Sequence, residues 1–453
     1  MELLTKINGI VWGAPTLVLI IGIGGYLTVG SGFAQLRLFP RALKEFLSGF
    51  KRKNDSAGVS PYQALCTALA ATVGTGNLAG VAGAIALGGP GAVFWMWICG
   101  ILGMITKFAE VTLSVRYAHG SPTGERMGGP MFIIEKGMGS RWKWMASLYS
   151  FFGIIAAFGV GNATQINTVI GGIAQIGTYF SVDITTGWRI IIGIVLAVLI
   201  GSILLGGAKK VGEIAEKLVP FASVVYIVLC FGVLFACRRN IAPAVSAIIT
   251  GAFTPRAVTG GVLGSAFTAL RVGASRGVFT NEAGMGTAGI AHASARVQHP
   301  VQQGFMGMTE VFLDTLVICT LTAIVILSSP ISIVYGEDIG IGLTLSAFSS
   351  VYGGWVSILL SCLLICFAIA TVVGWGVYGA RCAQYLFGEG VWRRFVYIQM
   401  VVVVVGALLG TGTVWILADI VNGLMAIPNL IALCVLGSRV FQLLNEYNTH
   451  PLH

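Results

Sequence analysis

The run IIIGIVLAVLIGSILL, Ile190–Leu205, carries no charge and no proline, and comparable apolar runs recur along the chain. About 20 such residues cross the hydrocarbon core of a bilayer as a helix. Strands of a membrane barrel would instead alternate apolar and polar residues, and these runs do not. The rest of the chain agrees: 56% of its 453 residues are hydrophobic and 10% are charged, whereas soluble domains are about 25% charged. The expectation is an all-α polytopic membrane protein.

Eleven spans are predicted, at 8–30, 62–88, 91–118, 144–179, 186–206, 212–237, 258–294, 303–328, 342–386, 395–411 and 414–437. The first apolar run exceeds the core of a signal peptide and is read as a transmembrane helix. With the N-terminus outside, 19 of the 27 Lys and Arg fall on the inner side and five on the outer. The positive-inside rule thus favours N-terminus out and C-terminus cytoplasmic, in the cell membrane. The same rule explains the formal net charge of +10. No basic stripe interleaved with stacking aromatics points to nucleic acid, and no protein partner is implied; the surrounding partner is membrane lipid. Nine scattered cysteines and five histidines show no metal-site spacing.

Setting the first span aside leaves ten, which divide into two sets of five with opposite orientation. The predicted organisation is an extra N-terminal transmembrane helix over 1–36 and a basic cytoplasmic loop over 37–60. Two inverted repeats follow, over 61–240 and 241–437, then a cytoplasmic tail over 438–453. Each set opens with a glycine-rich span: ATVGTGNLAGVAG at Ala71–Gly83 and RGVFTNEAGMGTAGIAHA at Arg276–Ala293. Glycine costs about 1 kcal/mol in a helix interior relative to alanine. Interrupted helices at matching places in two inverted halves point to a transporter's binding site. Irregular backbone at membrane depth is tolerated only where it lines a cavity or is buried in protein. An unwound turn offers free N–H groups to a carboxylate and free carbonyls to a hard cation. In the second span, either Gly273–Gly277 or Thr280–Gly286 is the unwound window.

These stretches, together with GGPMFIIEKGMG at Gly128–Gly139, resemble the alanine or glycine:cation symporter family (AGCS) over nearly the whole chain. The resemblance implies Na⁺- or H⁺-coupled uptake of alanine or glycine on a LeuT-like five-plus-five inverted repeat, here with one extra N-terminal helix. By that similarity the N–H groups of Thr75 and Gly76 meet the substrate carboxylate. The carbonyls of Ala70, Val73 and Ala368, with the Thr371 hydroxyl, hold sodium. Val372 stands where the pattern often has a second hydroxyl, which leaves the ion's coordination number open. Asn77 serves either the substrate's amine or a second ion.

Other intramembrane polar residues carry two readings each. Gln165 either orients the substrate or bridges helices. Phe279 and Thr280 line the pocket. Glu282 and Arg276 form a gate or, preferably, a structural ion pair. Trp375 shares a helix face with Thr371 and either caps the pocket or packs. Glu310 and Asp314, at i and i+4, either relay protons or staple helices through Lys107 or Arg271. Asn162 is read as helix packing. A pocket with few charges suits alanine or glycine.

A channel would show a repeated pore motif or symmetric assembly. An enzyme would need a nucleophile–base pair or metal cluster, and an ATP-driven pump a GxxxxGK[ST] loop. None is present, so the expected function is Na⁺-coupled symport of small neutral amino acids by alternating access, and not an enzyme. The alternatives are H⁺ coupling and, below it, passive conduction.

Overall fold

The computed structural model describes residues 2–49, 58–120, 125–253, 266–337, 340–409 and 411–449. Among them, nine helices are long and apolar enough to cross a bilayer, and a tenth passage is the bent pair Pro61–Thr72 and Gly76–Gly88. A second broken helix, Ala266–Asn281 followed by Thr287–His292, lies in the predicted span 258–294, whose start at 258 is outside the described residues. Among the described residues strand amounts to a two-residue ladder, His119–Gly120 against Arg126–Met127, and one isolated bridge, Val59 to Ala295. The fold is all-α and polytopic, as expected.

Four boundaries differ from the sequence reading, each for a local reason. The span 342–386 is two helices, Ile341–Tyr352 and Val356–Phe387. Gly353 between them takes φ +82°, which ends the first helix as glycine readily does. The basic segment 37–60 is no plain loop. It contains the helix Phe39–Gly49, whose Ala42 is fully buried and whose charges stay outward. The segment 438–453 is no separate tail either. The helix Thr411–Thr449 runs into it and buries Val440, Leu443 and Leu444. A further helix, Ile241–Phe253, precedes the second broken helix; at 13 residues it is too short to cross.

The long helix Gly91–Arg116 is the hub. It packs against Ile241–Phe253, the second broken helix and the helix that starts at Pro300. Without a strong hydrophobic drive in lipid, helices associate through small residues that allow close approach. A Cβ on Gly304 would stand 2.3 Å from the Thr112 hydroxyl, and one on Gly307 2.7 Å from Val111. Gly91 meets Gly251 backbone to backbone, with 2.2 Å available for any Cβ.

This crossing gives a direct expectation. Backbone cannot yield as a side-chain tip can, so Gly91→Ala should cost about 1–3 kcal/mol and lower the melting temperature of the purified protein in detergent. Gly171 has nothing within 4 Å of its would-be Cβ. Gly171→Ala should be neutral or stabilising by up to about 1 kcal/mol. A Gly91→Ala protein that melts with the wild type contradicts the close crossing.

Candidate functional site

The first break begins where a well-started helix is stopped. Ser60 and Gln63 cap Pro61–Thr72 reciprocally. Val73 then turns extended, with ψ 110°. The axis bends by 49° and the helix resumes with a π-helical turn, Gly76–Gly80. The VGTGN stretch is therefore interrupted at Val73–Gly74, and its second half is already helical. Asn77 ties the break: its Oδ1 accepts from the Gly74 N–H at 2.8 Å, and its Nδ2 donates to Asp314 Oδ1 at 2.7 Å. Because Oδ1 must accept from a backbone N–H, the amide orientation follows from the network.

A helix end leaves its last carbonyls without intrahelical partners. One of these, Ala70 O, lies 3.0 Å from the Thr371 hydroxyl, which is also 3.0 Å from Phe367 O. A Cβ on Gly74 would stand 3.1 Å from the same hydroxyl. The structure thus brings Ala70 and Thr371 together. Val73 closes the same helix end, and Ala368 lies one turn before Thr371. The donors are uncharged oxygens, the type that suits a hard monovalent cation.

The second break falls in the later of the two candidate windows. Glu282, Gly284 and Gly286 take φ of 54°, 94° and 77°. Gly273 lies instead in regular helix. Its would-be Cβ is 2.2 Å from Ala92 O, so its small size serves packing on the hub helix, and the alternative window Gly273–Gly277 is not unwound. Phe279 and Thr280 end the helix just before the break. A Cβ on Gly76 would stand 3.2 Å from Thr280 Cγ2 and 3.8 Å from the Phe279 ring. The two broken helices therefore cross at Gly76.

Side chains from other helices brace this crossing. Gln165 Oε1 accepts from the Thr75 hydroxyl at 3.3 Å, and its Nε2 donates to Val160 O. Trp375 is fully buried, and its indole N–H donates to Glu282 Oε1 at 3.0 Å. Gly161 makes room for it; a Cβ there would fall 2.2 Å from the Trp375 Cβ. Asn162 donates to Gln399 O, a helix-to-helix bond.

Several expected ion pairs are not formed. Both Glu282 oxygens accept from neutral donors, Trp375 and the Thr287 hydroxyl at 2.6 Å, rather than from Arg276. Asp314 pairs with neither Lys107 nor Arg271. Its oxygens accept from Asn77 and the Thr315 hydroxyl. Lys107 goes to Glu310 at 3.2 Å, so stapling describes Glu310. His292 continues that chain. Gln303 Nε2 lies 2.6 Å from His292 Nδ1, and His292 Nε2 lies 3.1 Å from Glu310 Oε2. An Nδ1 that accepts from the amide places the ring proton on Nε2, where it donates to the carboxylate.

Sequence reasoning missed Glu110 and Asn429. Glu110 Oε1 accepts from the N–H groups of Gly284 and Gly286, at 2.8 and 3.1 Å, and from Asn429 Nδ2 at 2.7 Å. Asn429 Nδ2 also donates to Gly284 O, and the Tyr149 hydroxyl to Met285 O. Glu110 alone carried a signal, as a carboxylate inside a predicted span. Asn429 follows Pro428 inside the helix Thr411–Thr449 and carries no such signal.

The sequence profile of the sodium:alanine symporter family matches residues 1–452. The sodium/alanine symporter AgcS of Methanococcus maripaludis is 40% identical over 454 residues, covering 99% of this chain and 97% of its own. The probable sodium/glutamine symporter GlnT of Bacillus subtilis is 37% identical, covering 97% and 89%. Among solved structures, MhsT in complex with L-phenylalanine superposes with a TM-score of 0.59 at 16% identity, covering 84% of this chain and 90% of that one. The fold is LeuT-like.

The Glu110 contacts yield an expected outcome. Glu110→Ala leaves two buried N–H groups and an amide without their acceptor, at about 1–3 kcal/mol for each unsatisfied group. The variant should melt well below the wild type, and amide exchange should rise first at 282–286. Glu110→Gln keeps one acceptor oxygen and should recover much of the loss. Equal exchange at 282–286 in Glu110→Ala and wild type would show that Glu110 does not hold the break.

Proposed function

The chain belongs to the sodium:alanine symporter family, and from that premise we propose that it is a secondary active transporter for alanine and glycine. In this reading Na⁺ drives the amino acid into the cell by alternating access, across a plasma membrane with the N-terminus outside. The observation that carries it is the crossing of two broken helices at Gly76 and Thr280.

In the proposed mechanism the first N–H groups of the resumed helix, at Thr75 and Gly76, receive the substrate carboxylate. At a helix start these groups lack intrahelical acceptors and sit at the positive end of the dipole. The carbonyls of Ala70, Val73 and Ala368 and the Thr371 hydroxyl receive Na⁺ as the co-transported cargo. Thr371 stands on the helix Val356–Phe387, so the cation would fasten that helix to the end of Pro61–Thr72. Asn77 spends both ends of its amide on Gly74 and Asp314. It therefore acts by shaping the break rather than by holding the amine. Gln165 presents an amide beside Thr75. Trp375, fixed by Glu282, limits the size of the substrate side chain. One methylene in such a pocket discriminates by only about 1–3 kcal/mol, so alanine and glycine are both accepted.

H⁺ coupling is the second reading, favoured by one observation. Asp314 is fully buried, and its hydrogen-bond partners Asn77 and Thr315 are neutral. A proton there would remove the cost of an uncompensated charge.

Labelled alanine uptake into proteoliposomes of the purified protein tests the proposal. Accumulation above equilibrium is expected with an inward Na⁺ gradient and not with K⁺ in its place. Accumulation driven by a proton gradient alone would transfer the coupling to Asp314. Thr371→Ala should raise the Na⁺ concentration for half-maximal uptake by about tenfold or more, the worth of one lost ligand at about 1.4 kcal/mol. Gly76→Val should abolish alanine binding, since its side chain would occupy the space beside Thr280. Normal alanine binding by Gly76→Val would sink the assignment of this backbone to the substrate.

A further inference from the structure

A cavity of about 180 Å³ backs onto the first break, and its lining includes Leu69, Val73, Pro220, Val224, Leu313 and Ile318. Its walls come from the helices Pro61–Thr72 and Gly207–Ala236 and from the π-helical stretch Phe312–Cys319. The residues that line it are all uncharged, and most are aliphatic. An apolar cavity of about 150 Å³ inside a soluble protein stays dry and takes a benzene molecule. This cavity is larger and as apolar, so hydrocarbon fits it and water does not. Its mouth faces a source of hydrocarbon. Val224 lines the cavity and is also 59% exposed. It belongs to a stripe of exposed apolar residues that runs through Phe221, Val224, Val228, Phe231 and Phe235. Steps of three and four residues set these on one face of the helix. The helix is long and apolar enough to cross a bilayer, so this face meets lipid. Pro220 and Val224 stand near the middle of its 30 residues, at the depth of acyl chains rather than of headgroups. The cavity therefore continues the lipid-facing surface inward.

The inner wall is the part of the chain where the first break is made. Val73 is the residue at which Pro61–Thr72 turns extended. Leu313 and Ile318 lie on either side of Asp314 in the π-helical stretch. Asp314 accepts from Asn77, the same amide that holds the Gly74 N–H. Two irregular stretches of backbone, joined to each other through Asn77, thus share one apolar cavity behind them. A void leaves the side chains around it without partner atoms on one side, and they forfeit those dispersion contacts. Whatever fills the cavity restores the contacts of Leu69, Val73 and Ile318 together.

We propose that this cavity is the seat of one acyl chain of a membrane phospholipid, which enters beside Val224 and packs against Val73. The inference goes beyond the transport reading and does not depend on it. With the chain in place, the end of Pro61–Thr72 is packed from the bilayer side and the break is braced. Without it, Val73 and its neighbours line a void, and the backbone at the break opens more readily. The bilayer is in this way part of what holds the first break in its bent form.

The test places the full chain in nanodiscs of phosphatidylcholine that carries a photoactivatable diazirine near the end of one acyl chain, and maps the labelled residues by mass spectrometry. Lipid that only surrounds the protein reaches Val228, Phe231 and Phe235. It does not reach Val73 or Ile318, which are 1% and 3% exposed. Labels at Leu69, Val73 or Ile318 are expected in addition to labels on the stripe. Ser223 also lines the cavity, so the ring of Ser223→Phe takes the place of the chain. This variant should lose labelling at the buried positions by at least about fivefold and keep the stripe within about twofold of wild type, since a filled interior admits no second occupant. Ile227→Phe fills the same cavity from the next turn and covers the case in which Ser223→Phe does not fold. Removal of lipid into detergent should speed amide exchange at 72–75 about tenfold in wild type and by no more than about twofold in the filled variant. Labels confined to the stripe overturn the seat, as do buried labels that persist in a folded, filled variant. Exchange that rises equally in the two proteins overturns the brace. A stripe without any label belongs to a contact with a second copy of the chain, and that result overturns the seat as well.

Discussion

A backbone N–H or carbonyl freed inside a membrane has no water to bond to, and the rest of this structure answers to that fact. Each unsatisfied group costs several kcal/mol in hydrocarbon. The chain breaks two helices at depth and then supplies partners almost group by group. At the first break Asn77 takes the Gly74 N–H, and Thr371 meets Ala70 O. At the second, Glu110 takes the N–H groups of Gly284 and Gly286, Asn429 and Tyr149 take the carbonyls of Gly284 and Met285, and Glu282 turns back to Thr287. Those partners come from four other helices, so breaking the two helices ties the bundle together at its middle.

The two breaks differ in kind. The first is short and closes on itself through one amide, leaving the end of one segment and the start of the next unpaired by side chains of its own. The second spans five residues with three left-handed φ values, and one carboxylate, Glu110, accepts from two of its N–H groups. Glu282 is a non-glycine residue at positive φ, a strained state that persists only where surroundings over-determine it. Here the surroundings are Trp375 and Thr287. The second break is held in place by its neighbours.

What the sequence made legible follows the same division. Glycines next to Thr and Asn mark a break because their chemistry is local, and both broken helices were foreseen on that ground. Thr371 and Ala70 came from family resemblance and do meet in space. What stayed hidden depends on which helix faces which. Gly273 carried the same glycine signal as Gly284, yet it packs on Ala92; a packing glycine and an unwinding glycine look alike in one dimension. Asp314 was matched to cations because charges seek opposite charges, whereas the fold gives Lys107 to Glu310 and leaves Asp314 to an amide and a hydroxyl. Helix boundaries failed where hydropathy continued through a turn, as at Gly353, since a turn at the membrane edge need not be polar.

The placement of Thr371 bears on how two cargoes can be coupled at all. A ligand shifts a conformational equilibrium only through its differential affinity for the two states. Under the proposed function, the helix end that offers carbonyls to the cation and the helix start that offers N–H groups to the amino acid are two sides of one break. Joining Ala70 to Thr371 fixes where Pro61–Thr72 ends, and that fixes where Thr75 and Gly76 point. Each cargo then favours the geometry the other needs, and the coupling is reciprocal by linkage. A straight helix with the same side chains could bind neither, because its N–H and carbonyl groups would be spent on each other. The helix propensity lost at Gly74 and Gly76 is the cost of having both sets of groups available at one point.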